Sequence, residues 1–221
     1  ANGAGKTTLM RTMLDLIHPD SGSLRLHGLD SRAASVAIRR RTTYLPGELV
    51  LPPRLTGRGV VERYLAARRD VGVDRVTALA RDLDLDLDRA VGGLSKGNRQ
   101  KLGLLLAFAP DADLLVLDEP TSGLDPFLQR RFAELVAHAT SRGAAVLLSS
   151  HVMAEVEQVA DSVALMREGR VVTVEPLAAL LASGIRRGRA RPSDPDGAAT
   201  LAHALRTTPG VAEVVVEGSD T

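Results

Sequence analysis

The sequence predicts an α/β fold: a parallel sheet covered by helices on both faces and interrupted by an inserted helical segment. Three observations predict it. The apolar runs 114–117 and 144–148 are continuous rather than alternating, and a helical pattern from 126 to 140 lies between them. Strands that are buried on both faces and linked by a helix read this way. Residues 2–8, Asn2-Gly3-Ala4-Gly5-Lys6-Thr7-Thr8, form a glycine-rich turn that opens a helix, the arrangement that cradles a phosphate. Between 46 and 110 the pattern changes to helices separated by loops, which marks an insertion.

In chain order, Leu9, Met10, Met13, Leu14 and Ile17 recur at helical spacing until Pro19 stops the pattern. Residues 23–27 alternate like a strand that ends at Gly28, with His27 as a surface strand residue. The polar, Ala-rich stretch 31–41 is a short helix, and 42–45 is a second short strand that runs into Pro46-Gly47-Glu48. Inside the insertion, Val60, Val61, Tyr64 and Leu65, then Val76, Leu79 and Leu83, mark two amphipathic helices. The alternating Asp82, Asp84, Asp86 and Asp88 read as a solvated helix end and loop, because the Gly and terminal Glu of a Ca²⁺ loop are out of register. From 113 the α/β rhythm resumes: the two apolar strands flank the 126–140 helix, and a helix at 152–159 and a strand at 163–166 follow. A turn at Glu168-Gly169-Arg170 then leads into Val171 and Val172, and 176–182 is a last core helix. Residues 184–195, rich in Arg, Gly and Pro, read as a linker. Beyond it, 198–205 and 211–216 read as a helix and a strand of a further small α+β domain that the chain leaves incomplete. The expected division is a core of 1–45 and 111–183, a helical subdomain of 46–110, and a linker with a partial C-terminal regulatory domain over 184–221.

Composition bounds the function. At 221 residues, 44% hydrophobic and 25% charged, the chain is long enough for a sizeable core. Lys+Arg 28 against Asp+Glu 27 gives a net charge of +1, which offers no electrostatic reason to expect a nucleic-acid partner. Aromatics at 2% argue against stacking platforms for single strands. The absence of cysteine rules out a disulfide framework and a thiolate metal site. The apolar run 102–109 falls well short of the roughly 18 residues a bilayer span needs.

The chemistry is carried by a few stretches. In G-x-x-x-x-G-K-[ST], successive backbone N–H groups converge on an anion, Lys6 reaches the terminal phosphates and the Thr7 hydroxyl ligates Mg²⁺. The first Gly of that pattern belongs immediately before Ala1, so the chain is expected to begin inside the loop, and its neighbouring strands to be left with unpaired edges. Leu114-Leu115-Val116-Leu117-Asp118-Glu119 is a buried strand that ends in two carboxylates at the carboxyl edge of the sheet, where open α/β sheets bind ligands. Asp118 there holds Mg²⁺, usually through water, and Glu119 is placed to take a proton from the water attacking the γ-phosphate. At Leu94-Ser95-Lys96-Gly97-Asn98 a Ser and a Gly stand at a helix start. This can be a second anion site, and the local residues support a plain Ser-capped helix equally well.

Taken in order and spacing, the cradle, Leu-Ser-x-Gly, Leu-Leu-Val-Leu-Asp-Glu-Pro, Ser122-Gly123-Leu124-Asp125 and Ser149-Ser150-His151 resemble the ATP-binding subunit of an ABC transporter over about residues 2–182. Lys96, Asn98 and the C-terminal appendage are most similar to bacterial drug, antibiotic or polysaccharide exporters. The resemblance implies a P-loop NTPase core and a Mg²⁺-dependent ATPase that forms a head-to-tail homodimer. ATP then lies between residues 2–8 of one protomer and Leu94, Ser95, Lys96, Gly97 and Asn98 of the other. It further implies that Ser122, Gly123, Leu124 and Asp125 form the loop coupling the two sites, and that His151 contacts the γ-phosphate and acts with Glu119 in catalysis. The implied partners are transmembrane permease subunits, at the cytoplasmic face of a bacterial plasma membrane.

Three departures stand out. The family's glutamine, due right after Tyr44-Leu45-Pro46, is replaced by Gly47, and Glu48 takes over its contact with Mg²⁺ by a one-residue shift. Lys96 and Asn98 stand where Gly and Gln are usual, with Ser95 and Gly97 retained. The aromatic residue that stacks on adenine lies upstream of the cradle. A soluble family member acting in translation or DNA repair is the less fitting alternative, since the stretch from Lys6 to Ser95 is too short for a long coiled-coil insertion. A non-hydrolysing regulatory module is the other alternative, and Gly47 motivates it.

Overall fold

The computed structural model describes residues 3–68, 71–183 and 204. Asn2, the expected linker and the expected C-terminal domain, Ala204 apart, lie outside the described residues. The chain divides into two compact units after Glu175.

Helix α1 (Lys6–Met13) starts from Gly5 at φ 94°, and no side chain caps it. Its first amides therefore remain open to a ligand. Periodicity extends this helix to Ile17, but the structure stops it at Met13. Asp15 turns into the left-handed region at φ 57°, with Asp15 N donating to Thr12 O and Leu16 N to Arg11 O. That pair of bonds is a Schellman ending, which closes the orphan carbonyls and leaves Leu16 and Ile17 exposed. Strands β1 (Arg25–Leu26) and β2 (Leu29–Asp30) then form a short antiparallel hairpin. His27 and Gly28 have φ of 52° and 76°, the two positive values that a type I′ turn requires, so His27 is a turn residue rather than a strand residue.

Helix α2 (Ser35–Arg40) leads into β3 (Thr42–Leu45). The insertion contributes α3 (Gly57–Ala67), α4 (Val73–Asp82) and α5 (Lys96–Phe108). Thr56 caps α3 through Gly59 N, and Ser95 caps α5 through Asn98 N. Among the alternating acids, Asp88 pairs with Arg58, whose guanidinium hydrogen-bonds the carboxyl and holds it below its ordinary value. Leu83 and Leu85, between the acids, are buried.

Next come β4 (Leu114–Asp118), α6 (Pro126–Ser141) and β5 (Ala145–Ser149). Asp125 caps α6 by accepting from Leu128 N at 2.9 Å, and Pro126 fills the first turn, where its missing N–H is harmless. Strands β3, β4 and β5 form a parallel sheet in the order β3-β4-β5, with Leu45 opposite Leu117 and Asp118 opposite Ser149. Side chains alternate across β4. Val116 packs on one face against Met10 of α1 and Leu14 just after it, whereas Leu115 and Leu117 join the other core. That larger core is continuous from Leu45 and Leu117 through Leu102 and Leu105 of α5 to Val61, Val76 and Leu79 of the insertion and Leu128 and Phe132 of α6. The insertion is thereby packed directly against the sheet that carries the site.

Helix α7 (Met153–Val159) precedes β6 (Ser162–Arg167) and β7 (Arg170–Pro176), which pair with each other. They are joined by the turn Glu168-Gly169, again with two positive φ values, 52° and 75°. Among the described residues, β5 pairs with β4 alone, and Leu165, Val171, Val172 and Val174 are exposed. Helix α8 (Leu177–Ser183) stands in the second unit.

Leu117, with no exposed surface, is the last apolar residue before the two carboxylates. Leu117→Ala is expected to destabilise the protein by about 2–5 kcal/mol through lost burial and a residual cavity, read as a lowered urea midpoint at unchanged slope.

Candidate functional site

The turn before α1 is shaped by two glycines in the left-handed region, Gly3 at φ 77° and Gly5 at φ 94°. A Cβ on Gly5 would also sit 3.3 Å from the Gly169 Cα, so this position excludes a side chain twice over. The β6–β7 turn braces the loop, with Gly169 N donating to Ala4 O at 3.1 Å. Lys6 and Thr7 occupy the first turn of α1, where the helix dipole favours an anion.

Against this first turn, at the carboxyl end of β4, lies Asp118, only 2% exposed. Its carboxylate accepts the Thr7 hydroxyl at 2.6 Å on Oδ2 and the Ser149 hydroxyl at 2.6 Å on Oδ1. Both are short bonds of the charge-assisted kind that offset the burial of an ionised group. Glu119 follows with φ 49°, an uncommon conformation for a residue with a side chain. The conformation is held because the Glu119 amide donates to Ser149 O at 3.2 Å and shares the Ser149 hydroxyl oxygen at 3.0 Å. The turned backbone aims the Glu119 carboxylate back over the site, with Oε2 at 2.7 Å from His151 Nδ1 and Oε1 at 3.9 Å from Lys6 Nζ.

A cleft of about 400 Å³ lies over these groups, lined by Thr7, Arg11, Gly47, Glu48, Asp118, Glu119, Ser122 and His151. Seven of these eight residues, all but Arg11, were singled out from sequence, and Lys6 meets Glu119 at the edge of the cleft. Gly47 packs so closely on Asp118 that an added Cβ would meet Oδ2 at 3.3 Å, and Glu48, next in the chain, lines the cleft. Arg11 was not anticipated. It stands four residues after Thr7 on α1, and helical spacing was the only signal for it.

Residues 94–98 are not part of this cleft. Ser95 is exposed and caps its own helix, and Leu94 is buried. Gly97 faces the Gly123 carbonyl, where a Cβ would lie 3.4 Å away. Lys96 Nζ donates to Ser122 Oγ at 3.2 Å, with its stem across Gly123, which has φ 79°. Leu124 is buried, Asp125 serves as the cap of α6, and Thr8 is exposed on α1. Ser149 and Glu155 are the groups sequence reasoning gave no role. Ser149 donates to Asp118 and accepts from the Glu119 amide, and Glu155 accepts from Thr121, Ser150 and Gln129; apart from Ser150 these partners come from segments distant in sequence, which no local pattern announces.

The residues fit a hard divalent cation: the Thr7 hydroxyl and the Asp118 and Glu48 carboxylates are oxygen donors of the kind Mg²⁺ takes. Among the described residues no cluster of three or more His, Cys, Asp or Glu could enclose a metal alone. Such a donor set suits an ion shared between protein and phosphate.

Comparison with known proteins bears on this geometry. The family model described as ABC transporter matches residues 1–122. The chain is 34% identical over 180 residues to the ABC transporter ATP-binding protein NatA of Bacillus subtilis, covering 77% of this chain and 72% of that protein. It is 35% identical over 189 residues to the Nod factor export ATP-binding protein I of Burkholderia orbicola, covering 83% of this chain and 62% of that one. It is also 34% identical over 185 residues to the bacitracin transport ATP-binding protein BcrA of Bacillus licheniformis, covering 79% of this chain and 58% of that one. The chain therefore spans less than two thirds of the last two relatives. Among solved structures, an ATP-binding subunit of an ABC transporter matches with TM-score 0.75 at 28% identity, over 82% of this chain and 78% of that one. An ATP-binding cassette in a dimeric post-hydrolysis state matches in fold with TM-score 0.71 at 19% identity, over 80% of this chain and 82% of that one.

Ser149→Ala removes one donor to the buried Asp118 carboxylate and one acceptor for the Glu119 amide. The expected cost is about 1–3 kcal/mol, measured by urea unfolding without nucleotide.

Proposed function

The chain belongs to the ABC transporter family of ATP-binding proteins, and on that basis we propose that it binds and hydrolyses ATP and powers export through separate membrane subunits. The observation that carries this reading is the convergence of Thr7, Asp118, Glu119 and His151 in one cleft at the start of α1, with Lys6 beside it.

The chemistry follows from those positions. The uncapped amides of α1 and the Lys6 ammonium hold the β- and γ-phosphates. Thr7 and Asp118 hold Mg²⁺, with Glu48 beside them in place of the absent glutamine side chain, and the ion when bound neutralises phosphate charge. Glu119 accepts a proton from the attacking water as its oxygen bonds to the γ-phosphorus and the bond to the β-phosphate oxygen breaks, releasing ADP and phosphate. His151 orients the Glu119 carboxylate through Nδ1 and faces the γ-phosphate.

Ser95 and Gly97 complete the site of a second copy in a head-to-tail dimer, with residues 122–125 running along the interface. Their place at the start of α5, outside the cleft of their own chain, supports this. The division into a core of 1–45 and 111–183, a signature subdomain of 46–110 and a regulatory appendage of 184–221 is part of the same proposal. The names of the Nod factor and bacitracin relatives favour an exporter of the drug or antibiotic type. Among the described residues no helix is long and apolar enough to cross a membrane; in this reading permease subunits carry the spans and the protein works at the cytoplasmic face.

In the full-length protein, Glu119→Gln is expected to keep ATP binding, lower turnover on the order of 10²- to 10⁴-fold and accumulate as a dimer in size-exclusion chromatography with ATP. Turnover equal to wild type would remove Glu119 as the base. Lys6→Ala is expected to abolish binding of a fluorescent ATP analogue, because the phosphate charge loses its cation. Glu48→Ala is expected to weaken the Mg²⁺ dependence of turnover, and an unchanged Mg²⁺ titration would remove Glu48 from the site.

A further inference from the structure

Glu155, on α7, makes more side-chain hydrogen bonds than its place one turn beyond the site would suggest. Oε2 accepts the Thr121 hydroxyl at 2.6 Å and the Ser150 hydroxyl at 2.8 Å, and Oε1 accepts Gln129 Nε2 at 3.2 Å. Thr121 lies two residues after Glu119 and directly before Ser122 of the cleft, and Ser150 directly precedes His151. The Ser150 oxygen in turn accepts the Val152 amide at 3.0 Å, so both neighbours of His151 are fixed through one hydroxyl whose proton points at Glu155. Gln129 comes from α6, which ties the pair of loops to the helix behind them.

All three partners present donors, and an ionised carboxylate only accepts. A carboxamide in the same place offers one neutral acceptor oxygen in place of two charged ones, so the hydroxyl bonds lose their charge assistance and Gln129 loses its acceptor. The segments that carry Glu119 and His151 also approach through their own 2.7 Å bond, and among the described residues the exposed imidazole has no other hydrogen-bond or ion-pair partner to set its direction. We propose that Glu155 is a positioning residue for the hydrolytic reaction: its carboxylate clamps the loop after β4 to the loop after β5 and so holds His151 against Glu119. This rests on the ATPase reading above.

The test has two arms in the full-length protein. Without nucleotide, Glu155→Gln is expected to speed hydrogen exchange of the Val152 amide by about tenfold relative to wild type, with far-ultraviolet circular dichroism unchanged. With ATP, Glu155→Gln is expected to lower kcat on the order of 10- to 100-fold while KM stays within about twofold, since Lys6 and Thr7 are untouched. In a His151→Ala background the same change is expected to cost nothing further, because Glu155 acts through that residue. Glu155→Asp, too short to reach all three donors, is expected to behave like Glu155→Gln. Exchange at the wild-type rate, or a loss of turnover that adds to that of His151→Ala, would overturn the proposal. A wild-type protein that does not hydrolyse ATP would overturn the ATPase reading instead, while the exchange arm still decides the clamp.

Discussion

The Asp118 carboxylate, almost wholly removed from solvent, accepts one hydroxyl from the first turn of α1 and another from the end of β5. Burying an ionised group without partners is costly, so this carboxylate is tolerated only where both donors arrive. Their arrival is what assembles the site. Thr7 and Asp118 are far apart in sequence, and their contact brings the glycine turn before α1 to the carboxyl edge of the sheet. The Ser149 contact fixes β5 in register beside β4, and the same serine then captures the amide of Glu119 and holds that residue in a left-handed turn. The Glu119 carboxylate is thus aimed by the group that satisfies its neighbour.

Packing keeps this polar knot in place. Val116 on one face of β4 and Leu115 and Leu117 on the other are almost fully buried in two separate cores. The strand cannot slide by one residue without exchanging them, since side chains alternate with period two. The insertion shares the larger core through α5, so movement of Ser95 at its start is coupled to the sheet rather than free of it. The chemically active groups then sit on loops at the ends of rigid elements, which is where loops can carry function without loosening the scaffold.

Helix starts show how the same local device serves different ends. α5 and α6 have their first amides taken by Ser95 and Asp125. α1 has Gly5 in that place and no side-chain cap, which leaves its positive end for a ligand. For residues 94–98 the sequence allowed either a cap or an anion site. The structure shows the cap, with Lys96 reaching the neighbouring Ser122.

Much of the fold was legible because its signals are local. Continuous apolar runs, helical periodicity and Gly-Lys-Thr at a helix start are properties of adjacent residues, and the parallel strands, α3 to α6 and the cradle stand where those patterns put them. The misjudged points, the end of α1 and the turn at His27, depend on Asp15 and His27 entering the left-handed region, which short-range context permits without dictating. The sequence by itself determined which residues could bind phosphate, metal and proton, since donor type and spacing are written in the chain. Only the tertiary structure decided that Thr7, Asp118, Glu119 and His151 meet in one cleft, that Gly47 packs close against Asp118, and that Glu155 gathers three donors from three segments. These facts depend on distances between parts remote in sequence, set by which faces of the sheet bury their side chains.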